Sequence, residues 1–244
     1  MYFKERLRRL RPGFFVEVGS GRGELSRLLL EHGWSGIAFD LNPASPAHVE
    51  DINGEFIENG QFEIRLANWL DEEISRKADM IVSCMVLEHL NEKDEARYFE
   101  KCRRELSDSG VMVLLVPAGK QYWGIEDEIA GHFRRYTRDL LRKQMEKSGF
   151  EVCHIAGLTF PVSNLLIPLS ELLVKRAEEK KQAMTMQQKT IASGIRTVPF
   201  KTTFPWLLGL VLNEIVMYPF YWLQKLTRGS TRAMVLYTEG KPFK

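Results

Sequence analysis

A chain of 244 residues, 44% hydrophobic and 27% charged, has the composition of an ordinary globular protein and the length of one domain with an insertion or two small domains. Its net charge of +2 is close to neutral, and with no N-P-P-Y-like segment and no recognisable RNA-binding module, no nucleic-acid partner is expected. The three cysteines, Cys84, Cys102 and Cys153, form no C-x-x-C pair and no metal-ligand spacing, so no metal is expected and they read as small buried hydrophobes of a reducing, cytoplasmic compartment.

Residues 1–11 are basic, but no long apolar run follows them, so they are not read as a signal peptide; residues 6–10 fit a short helix. Residues 14–18 form a first strand, and Glu17-Val18-Gly19-Ser20-Gly21-Arg22-Gly23 turns from it into a helix over 24–32. Glycines at alternate positions allow a tight turn and a close backbone approach to a ligand, and the following helix aims free N–H groups at the loop. A dinucleotide loop would need a third glycine where Glu24 stands, and a Walker loop would need a Lys-Ser or Lys-Thr that is not there. Glu17 at the strand end suits a cationic ligand group better than a phosphate. Residues 37–40 form a second strand that ends in Asp40, about twenty residues past the loop, where a carboxylate can accept from both ribose hydroxyls.

Residues 46–59 are weakly helical, and 62–66 and 79–83 read as buried strands. An amphipathic helix is expected over 94–106 and a strand over 111–116, closed by Pro117. Thr137 caps a helix that runs to 147 and stops at Ser148-Gly149, and 150–155 form a sixth strand. Repeated strand–helix units imply an α/β fold, a Rossmann-like doubly wound and mostly parallel sheet. Ligands of such sheets lie at the carboxyl ends of the strands.

The E-x-G-x-G-x-G of residues 17–23 resembles motif I of the class I S-adenosylmethionine (SAM) dependent methyltransferases. Asn68, after the third strand, matches the Asp or Asn near the adenine amine in that family, and Trp69 either covers the adenine or packs in the core. Ser83-Cys84-Met85-Val86-Leu87-Glu88-His89-Leu90 resembles the L-E-H segment of the ubiquinone-biosynthesis and related small-molecule methyltransferases. Pro117 with Gly131-His132-Phe133-Arg134-Arg135-Tyr136-Thr137 resembles the loop that faces the transferred methyl. The resemblance spans residues 13–160 and implies SAM as cofactor, lined by Glu17, Gly19, Ser20, Gly21, Gly23, Asp40, Leu41, Asn68, Trp69, Cys84 and Met85. It also places Arg135 and Tyr136 toward the substrate, with Arg134 or Arg135 pairing a local acid such as Asp127 or Glu128. His132 is the candidate catalytic base or a loop-fixing residue; His89 is a second candidate base or packs under the next helix.

The sheet of this fold has seven strands, the last antiparallel, and the sixth usually returns to the seventh by a hairpin. Here the seventh is expected at 233–237, after a turn at 228–230, so the helical residues between are read as an insertion. The expected division is a SAM-binding core over 1–160, a helical insertion or cap over 161–230, and the last strand with a tail over 231–244. Residues 164–179 are apolar and then charged, 182–188 are polar and rich in Met, and 206–226 are rich in large apolar side chains flanked by Lys201, Lys225 and Arg228. Length alone would let 206–226 span a bilayer, but Asn213, Glu214 and Pro219 argue against it. A lid or dimer face and a peripheral membrane-surface helix are the standing readings.

The expected function is SAM-dependent methyl transfer to a small-molecule or lipid-linked acceptor, with oxygen ahead of nitrogen or carbon. The alternatives are a non-catalytic Rossmann-like binding module that uses the apolar insertion for a partner or membrane, and an NAD-dependent oxidoreductase, which Glu17 and Glu24 disfavour.

Overall fold

The computed structural model describes residues 1–178, 185, 188–189 and 213–243, with side chains omitted at 175–178. Elements in chain order are α1 (Tyr2–Leu7), β1 (Phe14–Val18), α2 (Glu24–Glu31), β2 (Ser35–Asp40), α3 (Ser45–Glu58), β3 (Phe62–Leu66) and β4 (Ala78–Cys84). Next come α4 (Glu92–Glu105), β5 (Leu106–Pro117), α5 (Ile125–Ala130), α6 (Arg138–Lys147), β6 (Phe150–Leu158), α7 (Val162–Leu165) and α8 (Ile167–Glu178). After the gap follow α9 (Glu214–Leu226) and β7 (Val235–Pro242), and short 3-10 turns sit at Trp69–Asp71, Leu87–His89 and Lys120–Tyr122.

The strands form one seven-stranded sheet in the order β3-β2-β1-β4-β5-β7-β6. β1 to β5 pair in parallel, and β7 runs antiparallel between β5 and β6. Both faces are apolar because side chains alternate across a strand. Val16, Ile37, Ile81 and Met112 point to a core completed by Tyr98 and Phe99 of α4 and Leu141 and Met145 of α6. Phe15, Ala38, Met80 and Val113 point to the other, completed by Leu29 and Leu30 of α2, Val49 of α3 and Tyr2, Phe3 and Leu7 of α1.

Local signals set most boundaries. Asn91 accepts from the Asp94 N–H at 3.0 Å, and Thr137 from the Leu140 N–H at 3.2 Å, capping α4 and α6. Three of the boundaries that differ from the sequence reading have a visible cause. α1 begins at Tyr2 instead of residue 6, because Tyr2, Phe3 and Leu7 bury against the sheet. β5 begins at Leu106, five residues before the expected 111, where Leu106 pairs with Ala78 beside a register shift. β7 starts at Val235, two residues late, and continues through the polar Thr238-Glu239 because both are buried with partners. Thr238 donates to the His154 carbonyl at 2.9 Å, and Glu239 accepts from Arg6 at 2.6 and 2.7 Å.

Of the expected 206–226 helix, residues 206–212 lie outside the described residues, as do 182–188 apart from 185 and 188. In the rest, Asn213 is a cap and not mid-helix: its side chain accepts from the Ile215 and Val216 N–H groups at 3.0 and 3.1 Å. Among the described residues no helix is long and apolar enough to cross a membrane. α9 lies against α1: Lys4 pairs with Glu214 at 3.0 Å, and Glu5 holds Lys225 at 2.8 Å and the Tyr221 hydroxyl.

Glu17 sits in the second core at 1% exposure, where burial pushes its carboxyl from an ordinary 4.5 up to about 8, against an opposing bond from the Ser26 hydroxyl of α2. Between those values the native chain holds a proton that the unfolded chain has released, so stability falls as pH rises through this window. The slope from one such group reaches at most about 1.4 kcal/mol per pH unit. Urea unfolding at intervals from pH 5 to pH 8 should show declining stability, and Glu17→Gln should flatten the decline; an unchanged slope in the variant would mean that Glu17 is ionised in the fold.

Candidate active site

Parallel pairing brings the carboxyl ends of β1, β2, β3, β4 and β5 to one edge, and a cavity of about 840 Å³ opens there. Its two halves differ in chemistry. The half over β1 and β2 is walled by Gly19, Gly21, Asp40, Leu41, Asn68 and Met85. The other runs over His89, Asp127 and His132 to Ser163, Ile167 and Leu169 of α7 and α8.

The glycine loop is shaped for close approach. Gly19, Gly21 and Gly23 have φ of 79°, 54° and 89°, the left-handed region that costs glycine nothing. A Cβ on Gly19 would come within 2.5 Å of the Val86 side chain, and one on Gly23 within 2.8 Å of Asn53 Nδ2. Asp40 fixes the loop: it accepts from the Gly21 N–H at 2.7 Å, the Asn42 N–H at 2.7 Å and the Ser20 hydroxyl at 3.4 Å. Met85 also has a positive φ, 56°, held by its N–H bond to the Leu115 carbonyl at 2.8 Å. A non-glycine residue in that conformation costs about 1–3 kcal/mol, a strain often found at ligand sites.

The cavity wall includes Gly19, Gly21, Asp40, Leu41, Asn68, Trp69, Cys84, Met85, His89, His132 and Arg135 among the residues expected at the site. Glu17, Ser20, Gly23 and Tyr136 stand behind it. Glu17 accepts from the Ser26 hydroxyl, and the Ser20 hydroxyl donates to Asp40. Gly23 is the point where α2 meets α3. Tyr136 is fully buried with its hydroxyl donating to Glu95 at 2.7 Å. Trp69 is 1% exposed and stacks edge-on with Tyr98, a core residue whose edge reaches the cavity. Asn68 caps the turn at 69–71 by accepting from the Leu70 N–H at 3.2 Å. Burial raises the Cys84 thiol to about 12, which leaves it neutral and unreactive.

The H-F-R-R-Y segment divides between two buried acids. Glu95 takes Arg134 at 2.5 Å, Tyr136 at 2.7 Å and Gln144 at 3.0 Å. Asp127 takes His132 Nδ1 at 2.8 Å, Arg135 Nε at 2.8 Å and the Gly124 N–H at 3.0 Å. Burial alone would raise the Asp127 carboxyl, but the bonds from His132, Arg135 and Gly124 outweigh it and hold it below the usual range. Arg135 thus pairs with Asp127, one of the local acids the sequence offered as a partner. With Nδ1 on Asp127, His132 turns Nε2 toward Glu88, 3.9 Å away, and its ring meets that of His89 edge-on at 4.7 Å.

Two contributions were not read from the sequence. Glu88, inside the L-E-H segment, is fully buried, and desolvation pushes its carboxyl up to about 8. Its signal was an acid beside a histidine in a motif already singled out. The walls from α7 and α8 left no motif, only an apolar run.

The chain belongs to the methyltransferase-domain family, which it matches over residues 3–155. No curated protein matches it by sequence. Its fold is that of class I methyltransferases. A glycopeptide N-methyltransferase, MtfA, complexed with S-adenosyl-L-methionine is similar with a TM-score of 0.53 and 15% identity over 64% of this chain and 85% of that one. A sarcosine dimethylglycine methyltransferase structure from Galdieria sulphuraria is similar at 0.60 and 13% identity over 99% and 84%. The pyocyanin biosynthetic protein PhzM is similar at 0.52 and 21% identity over 63% and 49%.

Asp127 carries the polar wall, and removing its charge leaves Arg135, 7% exposed, without a counter-ion. Breaking one side of a buried pair costs about 3–5 kcal/mol. Asp127→Ala should lower the urea midpoint accordingly, and Arg135→Met should cost nearly as much. Loss below about 1 kcal/mol in both, by the usual scale of exposed pairs, would show that the pair is solvated.

Proposed function

We propose that this protein transfers the methyl group of SAM to a small-molecule or lipid-linked acceptor. The observation that carries the reading is the cradle formed by Gly19, Gly21 and Asp40 at the mouth of a cavity whose second half joins the polar His89, Asp127 and His132 to apolar residues of α8. The left-handed glycine loop leaves room for a ligand backbone-to-backbone, and Asp40 retains acceptor capacity toward a ribose diol beyond the bonds that fix it. Asn68, Leu41 and Met85 bound the same half and would contact the adenosine and methionine portions. The cofactor supplies an activated methyl group on a cationic sulfur. The protein's part is then to hold the acceptor in line and dry, which can account for most of the rate.

The acceptor would lie in the second half, against α7, α8 and the His89–His132 pair. Loss of its proton depends on these imidazoles if the accepting atom is a hydroxyl oxygen, the preferred choice. Residues 161–230 are read as a helical cap on a core of residues 1–160 and 231–244. Val174 of α8, fully buried against Ile129 of α5, supports that reading, since it fastens α8 beside the loop that carries His132. The alternative, a non-catalytic binding module, predicts a cradle that holds no SAM.

Calorimetry should find SAM and S-adenosylhomocysteine bound and NAD and NADP not. Asp40→Ala should weaken SAM by roughly 1–3 kcal/mol through loss of charge-assisted bonds, and Gly21→Val should abolish binding, since a β-branched residue disfavours a φ of 54°. His132→Ala should keep SAM affinity and lower turnover on the order of a hundredfold. Undiminished SAM affinity in both loop variants would remove the cofactor assignment.

A lipid acceptor is favoured by the outer surface of α9. Ile215 and Leu226 are 86% and 79% exposed, Tyr218 and Trp222 are about half exposed, and Arg228 follows the helix. That pattern suits a peripheral contact with an anionic bilayer surface. Co-sedimentation should favour vesicles containing anionic lipid over neutral ones, decline with added salt, and weaken in Ile215→Asp with Leu226→Asp. Concentration-dependent dimerisation without vesicle binding would assign the face to a second copy of the chain instead.

A further inference from the structure

Among the described residues, Glu88 is a buried acid left without a hydrogen bond. Its side chain is fully buried, and among the described residues neither carboxylate oxygen has a hydrogen-bond partner. An unbonded buried carboxylate is costly, and such groups are normally paired or coordinate a metal. Glu88 belongs to the cavity wall, as do His89 and His132. One ligand atom from each of these three residues lies within 4.8 Å of the other two.

We propose that Glu88, His89 and His132 bind a divalent transition-metal ion, with the cavity supplying its open position. Three observations support this beyond proximity. The first is spacing. Two atoms bound to one tetrahedral zinc at about 2.1 Å stand roughly 3.4 Å apart, and His132 Nε2 is already 3.9 Å from Glu88 Oε1. Closing that pair takes a movement of about half an ångström, and the His89 atom lies within 4.8 Å of both.

The second is the support behind the ligand. A metal-bound histidine usually donates its other ring N–H to a carboxylate, which fixes the tautomer and aims the free nitrogen at the ion. His132 has this arrangement before any metal arrives, with Nδ1 on Asp127 at 2.8 Å and Asp127 in turn held by Arg135 and the Gly124 N–H. The third is donor chemistry and access. Two imidazoles and one carboxylate suit Zn²⁺, Co²⁺ or Fe²⁺ better than the all-oxygen sets of Mg²⁺ or Ca²⁺. Three protein ligands with a fourth position facing a cavity is the form of a reactive site and not of a closed structural one.

Such an ion would face the acceptor half of the cavity and could take an acceptor oxygen as its remaining ligand. The imidazoles would then act on the acceptor through the ion instead of as free bases. The site itself rests on the geometry of the cluster and does not require the methyl-transfer reading to hold.

The test uses the full, tag-free chain after chelation and dialysis. Zn²⁺ is titrated by calorimetry, and Co²⁺ by its visible ligand-field bands. One equivalent of each should bind per chain, with Co²⁺ bands of a four- or five-coordinate site. Glu88→Gln, which keeps the shape of the side chain, and His132→Ala should each weaken Zn²⁺ at least tenfold, and Asp127→Asn should weaken it tenfold to a hundredfold. SAM binding by each variant serves as the check on folding and on the cofactor reading separately. Variants that retain SAM affinity but lose the ion confirm the site. No stoichiometric binding of either ion by the wild-type chain, or equal affinity in wild type and Glu88→Gln, overturns it, whatever becomes of the methyl-transfer assignment. Mg²⁺ binding in place of Zn²⁺ would overturn the assigned ion class.

Discussion

The Asp40 carboxylate is the constraint on which the site depends. It stands at the end of β2 and accepts from the N–H of Gly21, in the loop after β1, and of Asn42, in the loop after β2. Two loops that would otherwise fray into solvent are tied at one point. The loop after β1 can reach that point only because glycines take the left-handed backbone there. Once it is fixed, α2 starts at Gly23, and α2 can cover Phe15 and Met80 on its side of the sheet. Local backbone geometry, layer packing and the shape of the cavity therefore share one origin.

A second division of labour runs through the segment after α5. Four of the five positions 132–136 are sorted between two acids, His132 and Arg135 on one and Arg134 and Tyr136 on the other. Glu95 belongs to α4 and fastens the segment to the body of the domain. Asp127 belongs to α5 and fastens it to the cavity. The same stretch thus holds the fold together and presents an imidazole at a set angle. A substitution within it should be read for both effects.

The helices between β6 and β7 make the cavity two-sided. α8 is fastened to α5 through Val174 and Ile129, and α9 to α1 through Glu5 and Lys4. α1 is in turn fastened to β7 by the buried Arg6–Glu239 pair. The N-terminal helix therefore links the last strand of the sheet to the helix that precedes it. Among the described residues, α8 is held by a small apolar cluster, and α9 by polar contacts and by Tyr221 packed on the second core.

The sequence alone was sufficient for the order of the elements, the glycine loop and Asp40. β1 and β3 fall where their apolar runs lie, and Thr137 caps α6 as its position demands, because these depend on neighbours a few residues away. The same locality explains why Leu41, Asn68 and Met85 could be placed at strand ends and so at the cavity. What the sequence could not determine is which side chains of a motif face the ligand. Glu17 and Tyr136 bond to Ser26 and Glu95, partners nine and forty-one residues away, and stand behind the cavity wall. β7 extends through Thr238 and Glu239 because His154 and Arg6 wait for them across the fold. Glu88, His89 and His132 become a cluster only when the β4 end and the loop after α5 meet over the sheet. Short-range pattern decides what an element is. The direction of a polar side chain is decided by the distant group that satisfies it, since burial leaves it no water to bond instead.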